Sequence, residues 1–119
     1  MSSPPSATAA PAALSHIAIV TGARGGIGRQ VVQRLRTQGH RVAVVGRDAA
    51  SLDSLAADAR IAADTTEPQG AQAAIAACRE LLGGPPTLLA HCVGSTLIAP
   101  LHRTTATQWR EVMRVNLDS

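Results

Sequence analysis

The residues best placed to do chemistry are contiguous: Thr21-Gly22-Ala23-Arg24-Gly25-Gly26-Ile27-Gly28. A short apolar run, residues 16–21, precedes them and a helical apolar pattern follows. That setting suits a phosphate loop. Backbone N–H groups at a helix N-terminus point toward an anion, and a Cβ at Gly22 or Gly26 would hold a pyrophosphate away from them. Gly28 would let the helix pack tightly on the strand. Gly26-Ile27-Gly28 is not followed by Lys-Ser/Thr, which excludes the loop that cradles ATP or GTP. A glycine-rich turn without a ligand is the competing reading. The strand–loop–helix context favours nucleotide binding through Gly22, Arg24, Gly25, Gly26, Ile27 and Gly28.

A second set of residues bears on which nucleotide this would be. After the next apolar run the chain reads Val44-Val45-Gly46-Arg47-Asp48. Dinucleotide folds that take NAD carry a carboxylate about 20 residues beyond the loop, where it accepts from the ribose 2′-OH. Gly46 occupies that slot and leaves room for a 2′-phosphate. Arg47 and Arg24 can converge on such a phosphate, since guanidinium forks suit phosphate oxygens. NADP(H) is therefore expected in preference to NAD. In the rival reading Asp48 is the ribose acid of an NAD site. Asp48 also has a second use, as the N-cap of the following helix.

What the chain lacks is equally informative. Its 119 residues include 11 basic side chains, every one an arginine, and no tyrosine or phenylalanine. A mechanism that needs a lysine amine or a tyrosine phenol is excluded for these residues. The four histidines, His16, His40, His91 and His102, have no zinc-ligand spacing, so no metal site is expected. Cys78 and Cys92 form no CxxC pair and read as reduced thiols of a cytoplasmic protein. The net charge is +3, spread along the chain, with one Trp, which argues against nucleic acid as a partner.

Two stretches could be mistaken for targeting or membrane segments, and neither is expected to act as one. Residues 1–15 are Ser/Ala/Pro-rich without a charged side chain, and are expected to be a disordered tail rather than a signal. Residues 81–101 lack Asp, Glu, Lys and Arg, but Gly83-Gly84-Pro85-Pro86, Gly94 and Pro100 break any spanning helix.

The elements that must position these residues can be traced in order. Residues 16–21 read as a strand buried on both faces. A helix near 26–38 follows, with Ile27, Val31, Val32 and Leu35 on its apolar face and Gly39 at its end. Then come a strand at 41–45, a helix from Asp48 through Leu52 and Leu55, and a short run at 60–63. Thr66 and Gln69 have capping-box spacing before a helix that starts near Pro68. That helix carries Ala71, Ala74, Ile75, Cys78 and Leu82 on one stripe, which makes Cys78 a core residue. Residues 87–92 are expected as a fourth buried strand, and 105–117 as a last helix. The order βαβαβαβα implies an α/β fold: one half, the N-terminal half, of a Rossmann-type doubly wound parallel sheet spanning residues 16–119.

With these motifs in this order, the sequence resembles the short-chain dehydrogenase/reductase family over its whole length beyond the tail. TGxxxGxG at Thr21–Gly28 looks like that family's cofactor loop. The resemblance implies that Asp64 hydrogen-bonds the adenine with the backbone of Thr65 beside it, the alternative being that Asp64 caps the following helix. His91-Cys92-Val93-Gly94 stands where the family carries NNAG, so side-chain bonds there differ while backbone contacts at Val93 and Gly94 are kept. The helix with Trp109, Val112, Val115 and Asn116 looks like the one that bears the Asn of the family's Asn-Ser-Tyr-Lys tetrad. Asn116 as an ordinary helix residue is the rival, and Trp109 is read as packing, within the helix or in a paired-helix homo-oligomer. The implied reaction is hydride transfer between nicotinamide and a small carbonyl or alcohol. Of the tetrad only Asn116 is present, so these residues by themselves are expected to be inactive. The alternative is a remnant module that binds nucleotide or a partner without catalysis.

Overall fold

The computed structural model describes residues 15–119. The expected tail, Ser15 apart, lies outside the described residues. The run Ile17–Thr21 forms strand β1, buried at every position. A loop leads to helix α1 (Gly26–Thr37), strand β2 (Arg41–Gly46) and the short helix α2 (Ala49–Leu52). Strand β3 (Ala59–Ala62), helix α3 (Pro68–Leu82) and strand β4 (Leu88–His91) follow. A 3-10 turn at Leu101–Arg103 precedes helix α4 (Ala106–Met113), which runs into a π-helical turn at Arg114–Asp118.

The strands pair in parallel in the order β3-β2-β1-β4. Parallel neighbours require crossovers, and the helices supply them on both faces. Alternate residues of the central strands therefore enter two different cores. Ile17, Ile19, Val45 and Ile61 pack against Ala74, Cys78 and Leu82 of α3. Ala18, Val20, Val42 and Val44 pack against Val32 of α1 and against Leu52 and Leu55. Cys78 is fully buried, as its place on the stripe implies, and burial pushes its thiol up. The expected Rossmann-type half-sheet is present, with β1 neighbouring β2 on one side and β4 on the other.

Four local expectations need correction. Ile27 is 77% exposed and Ile75 is 51% exposed, although both fit the helical stripes. Gly28 and Val32, four residues apart, set the buried face of α1, and Ile27 lies off that line in the first turn. Ile75 and Leu89 border the same open hollow between α3 and β4. For the same reason β4 is not buried on both faces: its residues alternate between half-buried and exposed. Leu88, Ala90 and Cys92 pack on the α1-side core, while Leu89 is 67% exposed on the other face.

The capping box expected at Thr66 and Gln69 does not form, because Pro68 starts the helix one residue later and Asp64 captures the Thr66 hydroxyl. A capping box does form at the start of α4. There Thr105 Oγ1 accepts from the Gln108 N–H at 3.1 Å, and Gln108 Oε1 accepts from the Thr105 N–H at 2.9 Å. The last helix is regular only to Met113, four residues short of its expected end.

Candidate functional site

The carboxyl ends of all four strands open into one cleft of about 350 Å³, bordered by Thr21, Val45, Ala63 and Cys92. It lies where β1 changes neighbours between β2 and β4, the switch point at which doubly wound sheets bind ligands. The glycine loop forms its floor, and Gly22, Arg24 and Gly25 line it. Gly25 is the N-cap of α1 and makes no side-chain cap, and the first helical turn holds no acidic residue. The leading N–H groups of α1 thus lack intrahelical partners at the end of the helix that carries partial positive charge.

The loop's glycines turn out to serve different purposes. Gly22 has φ +66°, and a Cβ there would stand 2.7 Å from the Val93 nitrogen and collide with the Cys92 carbonyl. The Gly22 side is thus closed by the end of β4, not by room kept for a ligand. A Cβ on Gly28 would strike the Gly22 carbonyl and lie 2.7 Å from the Ala23 Cα, so Gly28 seats the helix on the loop. Gly26 is different, since nothing lies within 4 Å of a Cβ built there. Gly26, Ile27 and Gly28 are not among the residues that line the cleft; they form the first turn of α1 beside it.

Gly46 and Arg47 border the cleft at the end of β2, together with Asp48. Asp48 Oδ1 accepts from the Ala50 N–H at 3.1 Å, so Asp48 serves as the N-cap of α2. Arg47 and Arg24 are both exposed, and both line the cleft. Asp64 and Thr65 form the wall beyond β3, and Val93 and Gly94 the wall beyond β4.

Asp64 does not cap α3, whose N-cap is Glu67; it fixes the turn before that helix and also lines the cleft. Its Oδ1 accepts from the Thr66 N–H at 3.0 Å and from the Thr66 hydroxyl at 2.5 Å. These bonds, with the nearby charges of Arg114 and Arg47, hold its carboxyl below the usual aspartate range. Both bonds fall on one oxygen. A close approach absent from the sequence reading lies beneath: a Cβ on Gly70 would collide with the Asp64 carbonyl, so α3 can start only with glycine there.

Asn116 is placed outside the cleft lining. Its carboxamide clasps the segment after β4: Oδ1 accepts from the Ser95 N–H at 3.0 Å, and Nδ2 donates to the Ser95 carbonyl at 2.9 Å and to the Val112 carbonyl at 2.8 Å. Sequence reasoning also missed two polar ties. His91 Nδ1 lies 2.7 Å from Thr21 Oγ1, linking β4 to β1. Arg114 Nη1 donates to Thr66 Oγ1 at 2.8 Å, linking the last helix to the turn before α3. Neither carries a motif; only the Thr105-x-x-Gln108 box had a readable signal. Among the described residues no group of three or more His, Cys, Asp or Glu could hold a metal ion, and no helix is long and apolar enough to cross a membrane.

The short chain dehydrogenase family model matches residues 16–119. The chain belongs to the short-chain dehydrogenase/reductase family. It is 34% identical over 107 residues to galactitol 2-dehydrogenase (L-tagatose-forming) of Cereibacter sphaeroides, covering 85% of this chain and 41% of that protein. It is 35% identical over 115 residues to 2-(R)-hydroxypropyl-CoM dehydrogenase of Xanthobacter autotrophicus, covering 87% and 46%. The ligand-free aldohexose dehydrogenase of Thermoplasma acidophilum superposes with a TM-score of 0.74 at 25% identity, over 87% of this chain and 39% of that one. The chain thus spans less than half the length of these relatives and corresponds to the N-terminal region of the dehydrogenase fold. The short-chain dehydrogenase/reductase family is a family of oxidoreductases that in general bind NAD(P).

Proposed function

We propose that residues 16–119 form the NADP(H)-binding portion of a cytoplasmic oxidoreductase that moves a hydride between nicotinamide and a small carbonyl or alcohol substrate. One observation carries the choice of NADP(H): β2 ends on Gly46 with no carboxylate, Arg47 and Arg24 face the same cleft, and Asp48 is already used as a helix cap. Arg47 and Arg24 would hold the 2′-phosphate. Gly25, Gly26, Ile27 and Gly28 would present backbone N–H groups to the pyrophosphate, with Gly22 seating the loop. Asp64 would accept from the adenine amino group through the oxygen that Thr66 leaves open, beside the Thr65 backbone. Val93 and Gly94 would contact the cofactor through their backbones. Asn116 would act by holding the segment after β4 in place. The bound cofactor supplies the hydride; everything assigned to these residues is binding and orientation.

A specific observation favours a second reading for the chain itself. It contains no tyrosine and no lysine, the pair that handles the proton in the family the sequence resembles. The 119 residues would then bind nucleotide or a partner without turnover, as a module of a homo-oligomer or of a larger assembly. Fluorescence titration of the purified chain with NADPH and NADH tests the binding site. Tighter binding of NADPH is expected; equal affinities would overturn the NADP(H) assignment. Positioned proton transfer is worth about 10²–10⁴-fold, so NADPH oxidation with any carbonyl should stay at the uncatalysed rate.

A further inference from the structure

Two residues of the cleft wall, Asp64 and Thr66, are joined to the last helical segment by hydrogen bonds whose direction is fixed. Arg114 opens the π-helical turn, and Glu111 clasps its guanidinium. Nε donates to Glu111 Oε2 at 3.0 Å, and Nη2 to Oε1 at 2.7 Å. A planar fork held at two points has its remaining nitrogen aimed. That nitrogen, Nη1, donates to Thr66 Oγ1 at 2.8 Å. Arginine has no acceptor, so the Thr66 hydroxyl takes this bond on a lone pair and must donate its own proton elsewhere. It donates to Asp64 Oδ1, which also accepts from the Thr66 N–H at 3.0 Å. Asp64 Oδ2 is the oxygen left over.

From this arrangement we infer that Arg114 is a positioning residue for base recognition. Through Thr66 it commits Oδ1 of Asp64 to the turn and reserves Oδ2 for the amino group of an adenine bound in the cleft. Arg114 is not among the residues that line the cleft, so its action runs through Thr66. The inference rests on the reading of Asp64 as the adenine contact and does not depend on the 2′-phosphate. A carboxylate only accepts. Adenine offers it an N–H, whereas hypoxanthine offers a carbonyl oxygen at the same ring position, which the carboxylate repels. Without Arg114 the Thr66 hydroxyl is free to turn away, and Asp64 keeps one fixed donor in place of two. The low ionisation range of Asp64 accords with this: the Thr66 bonds are its main cause, and the Arg114 charge adds to them.

The test is fluorescence titration of the full chain with NADPH, NADH and the reduced hypoxanthine counterpart of each. Wild type should bind each adenine cofactor about tenfold more tightly than its counterpart, the difference expected of one bond to a charged acceptor. Arg114→Met should cut that preference to about threefold, by weakening the adenine cofactors and leaving the hypoxanthine ones within about twofold. Thr66→Val should cut it at least as far. Thr66→Ser keeps the hydroxyl and should stay within about twofold of wild type. Adding Arg114→Met to Thr66→Val should lower the preference no further, because the two side chains act in series.

Equal losses for adenine and hypoxanthine cofactors in Arg114→Met, or a further fall in the double variant, would make Arg114 a fastening of the last helix and overturn the inference. An unchanged preference in Thr66→Val overturns it whether or not Arg114→Met folds. A wild-type chain that binds both bases alike, or none of the four cofactors, overturns the adenine reading of Asp64 and this inference together. A wild-type preference that survives Arg114→Met overturns the inference alone.

Discussion

The β3–β2–β1 side of this chain and its β4–α4 side are held together by different forces. On the first, the central strands are apolar on both faces and sit between α3 on one side and α1 and α2 on the other. On the second, β4 buries one face only and α4 buries no residue completely. β4 is joined to β1 by parallel pairing, by Leu88, Ala90 and Cys92 on the α1-side core and by the His91–Thr21 tie. The last helix, in contrast, is tied by Arg114 to Thr66, with Asn116 clasping Ser95 inside the second region. The cleft lies across the boundary. Its floor, the glycine loop, is anchored in the apolar region, while its far walls depend on hydrogen bonds that water and salt can contest. A site built this way has a fixed phosphate end and a more adjustable opposite wall.

Variants read by stability should separate the two regions most sharply. Gly22→Val places a branched side chain at a left-handed φ and against the Cys92–Val93 backbone, and is expected to cost about 3 kcal/mol or more, read as lost urea stability. Gly26→Ala meets nothing within 4 Å and should fold like wild type, yet weaken both nucleotides by crowding the helix start. If Gly22→Val folded normally, the loop would not be tied to β4 as described. Next in size, Leu52→Ala in the α1-side core should lose about 2–5 kcal/mol, whereas Leu89→Ala on the open face of β4 should stay within about 0.5 kcal/mol. Similar losses at both positions would erase the contrast between the regions.

Binding variants sharpen the same comparison at the cleft. Arg47→Ala should weaken NADPH about tenfold with little effect on NADH, the loss of one charged contact to phosphate. Asn116→Ala, on the polar side, should leave global stability nearly unchanged and speed amide exchange at Ser95, whose N–H it holds. The smallest effect concerns protons. Asp64 is held below the usual aspartate range chiefly by Thr66, so its folded form favours the carboxylate. The associated stability is present above the ordinary aspartate pKa and is lost as the pH falls through the lowered one. Thr66→Val should move the Asp64 titration, followed by carboxyl carbon NMR, upward toward its ordinary value; an unmoved titration would break the assigned cause.

The sequence alone determined the apolar core strands, the start of the last helix near Thr105, the loop that opens α1, and the absence of any tyrosine or lysine. These are legible because burial on both faces of a parallel sheet demands continuous β-branched runs, and because caps and glycine loops act over three or four neighbouring residues. Family membership followed from the same local signals taken in order. Only the tertiary structure decided that Gly22 is required by β4, that Ile75 and Leu89 face an open hollow, and that Asp64 is spent partly on Thr66. It likewise decided that Arg114 reaches a turn 48 residues away. Periodicity tells which residues share a face but not whether another element covers that face. Contacts between distant residues depend on where the sheet order places the strand ends, and no spacing along the chain encodes that.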